Sequence, residues 1–543
     1  MVTAFFGFLL AVAVPLSAAP RSSPRVRIAE GTVQGLTSGG MSEFLGIPFA
    51  EPPVGALRWQ PPRTHAAWTQ TLDATKFGNT CPQITELGVF AGPVSVTEDC
   101  LYLNVFTPSG APNGKKNPVL VWIHGGGLFD GESNDYDAGA LVKGGPAGPT
   151  VVVTINYRLG LLGYLGHPAL DAEGHDFGNY GLMDQQEALR WVKRNIAAFG
   201  GDPDNVTVGG QSAGATSTAA LVISPASKGL LHRAIFESGP LLTVAPLALA
   251  ESRGANFATA AGCGADATAA SATCLRGLTV QKILSLQGTA AANGPYVNGL
   301  LVDGKILPIP ADTAWTSGQF NHMPIMNGSV ADEGAFTASI NELFFGPLSA
   351  DQYVTLIKAT YDGPAGPGAG PPNYAAGTAD AVLAKYPLSA YPNPTAAWIA
   401  VGTDTNVCRH PFLNRHVSAF VPLYAYEFSD KTAPWYFPPL SFAHGAAHTI
   451  DIPFLFPNWR GGPLGIPHTL NAQEQALSAQ LVAAWTSFMH TGNPNLTGDR
   501  PWPRYTAASD VYFSENVPKS STITGAQFAA AHHCAFGDTV LIY

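Results

Sequence analysis

The ten residues Asn205 to Gly214, NVTVGGQSAG, constrain the fold more than any other stretch of this chain. The segment from Asn205 to Gly209 is short, with β-branched and apolar residues at alternate positions, and reads as a buried strand. The next five residues, Gly210-Gln211-Ser212-Ala213-Gly214, form a G-x-S-x-G pentapeptide, and the following ATSTAALVIS is small and apolar enough to start a helix packed on a sheet. Strand, sharp turn and helix are the context in which this pentapeptide makes a nucleophile elbow. The turn forces Ser212 into a strained backbone conformation, and glycine at both flanks permits close packing. The Ser212 hydroxyl is then presented at a helix N-terminus, where backbone N–H groups stabilise an anion. In a chain with 59 glycines the pentapeptide alone carries little weight. Its flanking elements give it meaning.

The chain has 543 residues, of which 12% are charged and 46% hydrophobic, so it can bury a large core. Its net charge of −10 argues against nucleic acid as a partner, because phosphate binding needs a basic face. Within residues 1–20 an apolar run from Phe5 to Val14 precedes the small residues Ser17-Ala18-Ala19. Its length suits the h-region of a removable signal peptide and is too short to span a bilayer, although no Lys or Arg precedes it. With no other run of spanning length and no GPI-type tail in DTVLIY, the expectation is a secreted extracellular protein without a stable membrane anchor. Six cysteines in such a protein suggest disulfides, with 15 possible pairings. Cys81 with Cys100 and Cys263 with Cys274 are close in sequence, and Cys408 and Cys534 remain. A metal site built from Cys408-Arg409-His410, His416 and His532-His533-Cys534 matches no zinc spacing, so neither metal nor cofactor is expected.

Beyond residue 100 strands alternate with helices. LYLNVFTP (101–108), VLVWIH (119–124) and TVVVTINY (150–157) are near-continuous apolar runs, as in strands covered on both faces. Residues 181–199 place Leu182, Ala188, Leu189, Val192, Ile196 and Phe199 on one helical face, and the glycines at 200–201 with Pro203 end that helix. RAIFES (233–238), MPIMNG (323–328) and YAYEF (424–428) are further strand candidates, and Leu477, Leu481, Trp485 and Phe488 mark an amphipathic helix. Residues 23–60 read as short antiparallel edge strands, 241–322 as Ala-rich helices, and the Gly/Pro-rich 361–372 as a surface loop. The βαβ succession implies a mostly parallel sheet with helices on both faces. One α/β domain over residues 21–543, with helical insertions, is the economical reading.

An acyl-transfer serine needs a base, an acid behind the base and donors for the oxyanion. His124-Gly125-Gly126-Gly127 follows a strand directly, and a glycine run there leaves backbone N–H groups free to face a developing negative charge. The N–H of Ala213 would add a third donor. For the acid, SVADEGAF after the 323–328 strand offers Asp332 and Glu333, and position alone does not choose between them. For the base, His410, His416, His444, His448, His468, His490, His532 and His533 all lie downstream.

The chain resembles the type B carboxylesterases of the α/β-hydrolase fold, a family that includes cholinesterases, fungal sterol esterases and lipases, and para-nitrobenzyl esterases. The resemblance runs from about Val26 to the last cysteine through FLGIPFAEPPVGALRWQPP (44–62), EDCLYLNV (98–105), WIHGGG (122–127), NYRLGLLGYL (156–165), the 178–214 segment, ADEGAF (331–336) and HTIDIPFLF (448–456). It implies Ser212 as nucleophile, Glu333 as acid and His448 as base, with His444 a decoy. It implies Gly126, Gly127 and Ala213 as oxyanion donors, and disulfides Cys81–Cys100, Cys263–Cys274 and Cys408–Cys534. It also implies ion pairs Arg58–Glu98 and Arg158–Asp184, and Ser238 near the triad.

Three departures narrow the expectation. Gln211 precedes the serine where cholinesterases resemble one another in carrying glutamate. The Cys81–Cys100 loop contains no tryptophan, which removes a cation–π site for choline. That loop is also short where lipases of the family use a longer version as a lid. The expected substrates are soluble or medium-sized carboxylic esters. A secreted lipase or sterol esterase acting on lipid esters is the main alternative, and a non-catalytic, neuroligin-like adhesion protein a remote one. Sequons occur at Asn205, Asn327 and Asn495; the first two flank expected core strands, which leaves Asn495 as the glycosylation candidate.

Overall fold

Near-continuous apolar strands need cover on both faces, and the computed structural model shows how they receive it. It describes residues 23–84, 91–110, 116–240, 244–287, 299–362, 374, 377–496 and 501–540. The N-terminal stretch 1–20, read as a signal peptide, and most of the Gly/Pro-rich 361–372 stretch lie outside the described residues.

The central sheet contains, in chain order, β1 (Leu36–Ser38), β2 (Met41–Pro48), β3 (Tyr102–Pro108), β4 (Asn117–Ile123), β5 (Val151–Ile155), β6 (Gly201–Gln211), β7 (Arg233–Glu237), β8 (Ile325–Val330), β9 (Leu423–Phe428), β10 (Val511–Glu515) and β11 (Ser521–Thr524). Their spatial order is β11-β10-β9-β8-β7-β6-β4-β5-β3-β2-β1. Pairings from β5 through β10 are parallel, whereas β1, β2, β3 and β11 pair antiparallel at the edges. A small separate sheet is formed near the N-terminal end by Arg25–Arg27, Thr32–Gln34 and Leu72–Asp73. This is the α/β-hydrolase architecture.

Alternate residues of β4 serve two different cores. Val119, Val121 and Ile123 join the apolar cluster that holds helices α1 (Tyr180–Asn195) and α2 (Ala213–Ile223). Leu120 and Trp122 face the cluster of Leu481, Trp485 and Phe488, from the long helix Ala472–Thr491. Both faces of the strand are therefore dry, which is why its sequence shows no alternation. Helices α3 (Gly334–Phe345), α4 (Pro394–Val407) and α5 (Arg409–Val417) lie between β8 and β9 in the chain, α5 packing on the sheet through Leu413 and Val417, and α6 is the Ala472–Thr491 helix.

Two sequence expectations are corrected. The strand leading to the elbow begins at Gly201 rather than Asn205, because Gly200, at φ +83°, ends the preceding helical turn and Gly201 already registers with Asn117. Strands β10 and β11 were not anticipated; their segments are short and flanked by polar residues, and β11 is half-exposed. The three disulfides pair as the resemblance implies, with Cα separations of 4.9, 5.4 and 5.2 Å for Cys81–Cys100, Cys263–Cys274 and Cys408–Cys534. Arg58 meets Glu98 through two hydrogen bonds of 2.7 and 2.5 Å, and the buried Arg158 meets Asp184 at 2.8 and 2.7 Å.

Candidate active site

The parallel centre of the sheet aligns several strand ends at one edge, the place where open α/β sheets bind ligands. Ile123 of β4 registers with Gly210 of β6, and Gln211 registers with Glu237 of β7. The loops leaving β4, β6, β7 and β8 therefore open side by side.

Ser212 follows β6 directly, with φ +58° and ψ −125°, the strained turn that the pentapeptide predicts. Its N–H is held by the Glu237 carbonyl at 2.8 Å, and its carbonyl accepts from Thr216 at 2.9 Å. The flanking glycines are required by space. A Cβ on Gly210 would lie 2.4 Å from the Ile123 carbonyl oxygen, and one on Gly214 only 1.9 Å from it. Any side chain there would push the elbow off β4.

The loop after β4 turns through Gly126 and Gly127, both at positive φ. The Gly126 carbonyl accepts from Phe129 and Asp130, and His124 is stacked on Tyr157, whose hydroxyl donates to the His124 carbonyl at 2.9 Å. Burial pushes the His124 imidazole down to about 4, so it is neutral and purely a brace. The N–H groups of Gly126 and Gly127 meet no acceptor among the described residues, and that of Ala213 is the first of α2.

Asp332 and Glu333, left open by sequence position, divide the work beyond β8. Glu333 is buried, accepts from the Val330 N–H at 3.2 Å and meets Nδ1 of His448 with its other carboxylate oxygen. Asp332 accepts instead from the Ala446 N–H at 2.8 Å and pairs with Lys431 at 3.1 Å, which fastens the loop carrying the histidine. Burial alone would lower the basicity of His448. The charge of Glu333, its hydrogen bond and the more distant Asp451 outweigh that, so the ring titrates above its ordinary value. His444 is half-buried against Trp435 and does not reach this cluster.

Ser212, Glu333, His448, Gly126, Gly127 and Ala213 all line one cavity of about 380 Å³. Leu128, Phe129, Phe336 and Pro240 supply its apolar walls. The Ser212 hydroxyl makes no hydrogen bond among the described residues. Catalytic contacts of unliganded sites are often long and tighten with substrate bound.

The carboxylesterase family model matches residues 22–536 of the chain. The chain belongs to the carboxylesterase family. It is 34% identical to para-nitrobenzyl esterase of Bacillus subtilis (strain 168), over 88% of this chain and 91% of that protein. It is 32% identical to acylcarnitine hydrolase of Mus musculus, over 92% and 89%, and 32% identical to acetylcholinesterase of Bungarus fasciatus, over 94% and 85%. This carboxylesterase is a carboxylic ester hydrolase.

The contacts of Gln211 and the cavity positions of Arg409 and His410 were not foreseen from the sequence of this carboxylesterase, whereas the resemblance implied Ser238 close to Ser212, Glu333 and His448. Gln211 was read only as the neighbour of the serine. Its amide nitrogen lies 3.3 Å from Nε2 and 3.5 Å from Nδ1 of His448, so it packs against that imidazole. Ser238, at φ +54°, lines the cavity with its hydroxyl buried and unpartnered among the described residues. Arg409, weighed as part of a metal pattern, and His410, weighed there and among the candidate bases, line the same cavity. Cys408 beside them is engaged in its disulfide, and among the described residues no group of three or more His, Cys, Asp or Glu is arranged to hold a metal.

Of the sequons, Asn327 is fully buried and donates to Asn414 at 2.7 Å, and Asn205 contacts Arg233. Asn495 is half-buried. Its amide donates to Asn493 at 2.7 Å and to the Trp502 carbonyl at 2.8 Å, so a glycan on that nitrogen would displace one of these bonds. Among the described residues no helix is long and apolar enough to cross a membrane.

Proposed function

We propose that this chain is an exported serine esterase that hydrolyses soluble or medium-sized carboxylic esters through an acyl-enzyme on Ser212. The observation that carries this reading is the convergence of Ser212, the His448–Glu333 pair and the glycine loop on one cavity. His448 takes the proton of Ser212 as its oxygen attacks the ester carbonyl. Glu333 fixes the imidazole through Nδ1 and stabilises the imidazolium. The N–H groups of Gly126, Gly127 and Ala213 hold the tetrahedral oxyanion, and one such donor is typically worth about 2.7–4 kcal/mol in the transition state. His448 then protonates the departing alcohol. Water, deprotonated by His448, attacks the acyl-enzyme, and the acid leaves as Ser212 recovers its proton.

Export is supported by the apolar leader sequence and by three disulfides, which persist in oxidising compartments. The cavity volume of about 380 Å³ favours a modest acyl or alcohol group. A lipase or sterol esterase is the second reading, and one observation favours it. Leu343, Phe344 and Phe345 are exposed at the far end of α3, the helix that starts beside Glu333, and such a patch suits a lipid surface. Turnover of short-chain soluble esters against emulsified long-chain esters separates the two. High activity on the soluble esters without a jump at the emulsion interface supports the esterase; a sharp interfacial rise supports the lipase.

A further inference from the structure

The floor of the cavity is the reaction centre, but one wall carries a charge that the chemistry above does not use. Helix α4 runs into α5 at Cys408, and the Cys408–Cys534 disulfide pins that corner. The corner is also tied to the triad acid. Gly334, next to Glu333, packs so closely on α4 that a Cβ there would lie 2.3 Å from the Ile399 carbonyl oxygen, and its N–H donates to Thr403 at 2.9 Å. Asn406, Arg409 and His410 are thereby fixed in the wall of the cavity that holds Ser212.

Arg409 is half-buried and has no carboxylate or hydrogen-bond partner among the described residues. Most other arginines near the core of this chain are paired, as Arg58 and Arg158 are. His410 is 2% exposed, and its Nδ1 is buried with no partner among the described residues. A buried polar nitrogen without a partner is costly, and a guanidinium beside apolar walls binds an anion more strongly than it would in water. An acceptor entering with the substrate supplies the partner that Arg409 lacks, and His410, whose Nδ1 is sealed from the cavity, can meet it only through its other ring nitrogen. Burial keeps the His410 ring neutral, pushing it down to about 4, so it can act as a hydrogen-bond donor through one nitrogen while Arg409 supplies the charge. Glu333 faces the same cavity and the chain as a whole carries −10, so without Arg409 an anionic ester would be repelled.

We propose that Arg409 and His410 form a carboxylate-binding subsite in the reaction cavity, and that the preferred substrates are esters bearing a free carboxylate close to the scissile bond. This rests on the acyl-enzyme reading above and narrows its substrate class. The carboxylate belongs either to the acid half, as in a monoester of a dicarboxylic acid, or to the alcohol half, as in an ester of a hydroxy acid.

Two matched pairs test it: monomethyl succinate against methyl succinamate for the acid half, and O-butyryl glycolate against O-butyryl glycolamide for the alcohol half. The quantity read is the ratio of kcat/KM for the charged and neutral members, which cancels any general change in activity. The wild type is expected to favour the charged member of one pair by at least tenfold, with the ratio falling as salt is added. Arg409→Met should reduce that ratio at least tenfold, Arg409→Lys should keep part of it, and Arg409→Glu should invert it. Whichever pair shows the preference identifies the half that carries the charge. A wild-type ratio of one or less in both pairs, or a ratio indifferent to Arg409→Met and Arg409→Glu, would overturn the subsite while leaving the esterase reading intact. Turnover of the neutral members by Ser212→Ala would overturn the esterase reading itself.

Discussion

Asp332 and Glu333 are neighbours in the chain but grip the same loop at two different points. Asp332 accepts from the N–H of Ala446, and Glu333 meets the imidazole of His448. One carboxylate places the loop and the other orients the ring, so their removal should have different consequences.

Glu333→Gln keeps the shape but cannot stabilise an imidazolium, and kcat should fall by about 10⁴-fold, the cost typical of removing the charge of a triad acid. Asp332→Asn retains an oxygen to accept from Ala446 and loses only the exposed pairing with Lys431, so kcat should fall by less than about tenfold. Steady-state kinetics of the two purified variants on one soluble ester checks the contrast. Equal losses would mean that both act structurally.

In the proposed mechanism Ser212 is activated only by neutral imidazole, and His448 titrates above the usual 6.5 because Glu333 and Asp451 overcome its burial. Activity therefore falls as pH drops, and the acid limb of kcat/KM should have its midpoint above 6.5. In Glu333→Gln that midpoint should move down, because the neighbouring negative charge is gone. A limb that stays in place in the variant would show that the base is not paired with Glu333.

His124 carries the opposite sign. Its folded-state value, near 4, lies below the 6.5 of an unfolded chain. Its contribution to stability is complete above 6.5 and is lost as pH falls from there towards 4, amounting to about 2 kcal/mol by pH 5. His124→Gln should narrow the difference in unfolding free energy between pH 7.5 and pH 5 by about that amount. Denaturant melts at the two pH values give the number directly.

The strands and the elbow were legible because their physics is local. Alternation and apolar runs mark β4 to β7, and a strand followed by G-x-S-x-G and small residues allows few other turns. The partners of Ser212 were not legible from local pattern. His448 follows Glu333 by 115 residues; the resemblance implied it over His444 four positions earlier, and its contact with Glu333 distinguishes the two in the structure. The resemblance likewise implied Glu333 over Asp332, which position alone left open, and in the structure the two carboxylates differ in what each touches. Arg409 and His410 carried no motif at all; they enter the cavity because a disulfide and the close packing of Gly334 hold the α4–α5 corner there.

The two disulfides of the helical region should differ in what they contribute. Cys408–Cys534 spans 126 residues and Cys263–Cys274 spans 11. Loop-closure entropy gives about 5 kcal/mol for the first and about 3 kcal/mol for the second. Serine pairs replacing each disulfide should lower the unfolding free energy in that order. The reverse order would show that native-state contacts, not the tether, dominate.

Ser212 as the single acylated residue is the central claim. Intact-protein mass spectrometry after treatment with a fluorophosphonate tests it most directly, followed by peptide mapping and a parallel assay of Ser212→Ala. The expected result is one adduct, mapped to Ser212, with loss of esterase activity in step with labelling. Ser212→Ala should be folded, unlabelled and inactive. An adduct at another residue, or turnover by Ser212→Ala at the wild-type rate, would contradict the mechanism.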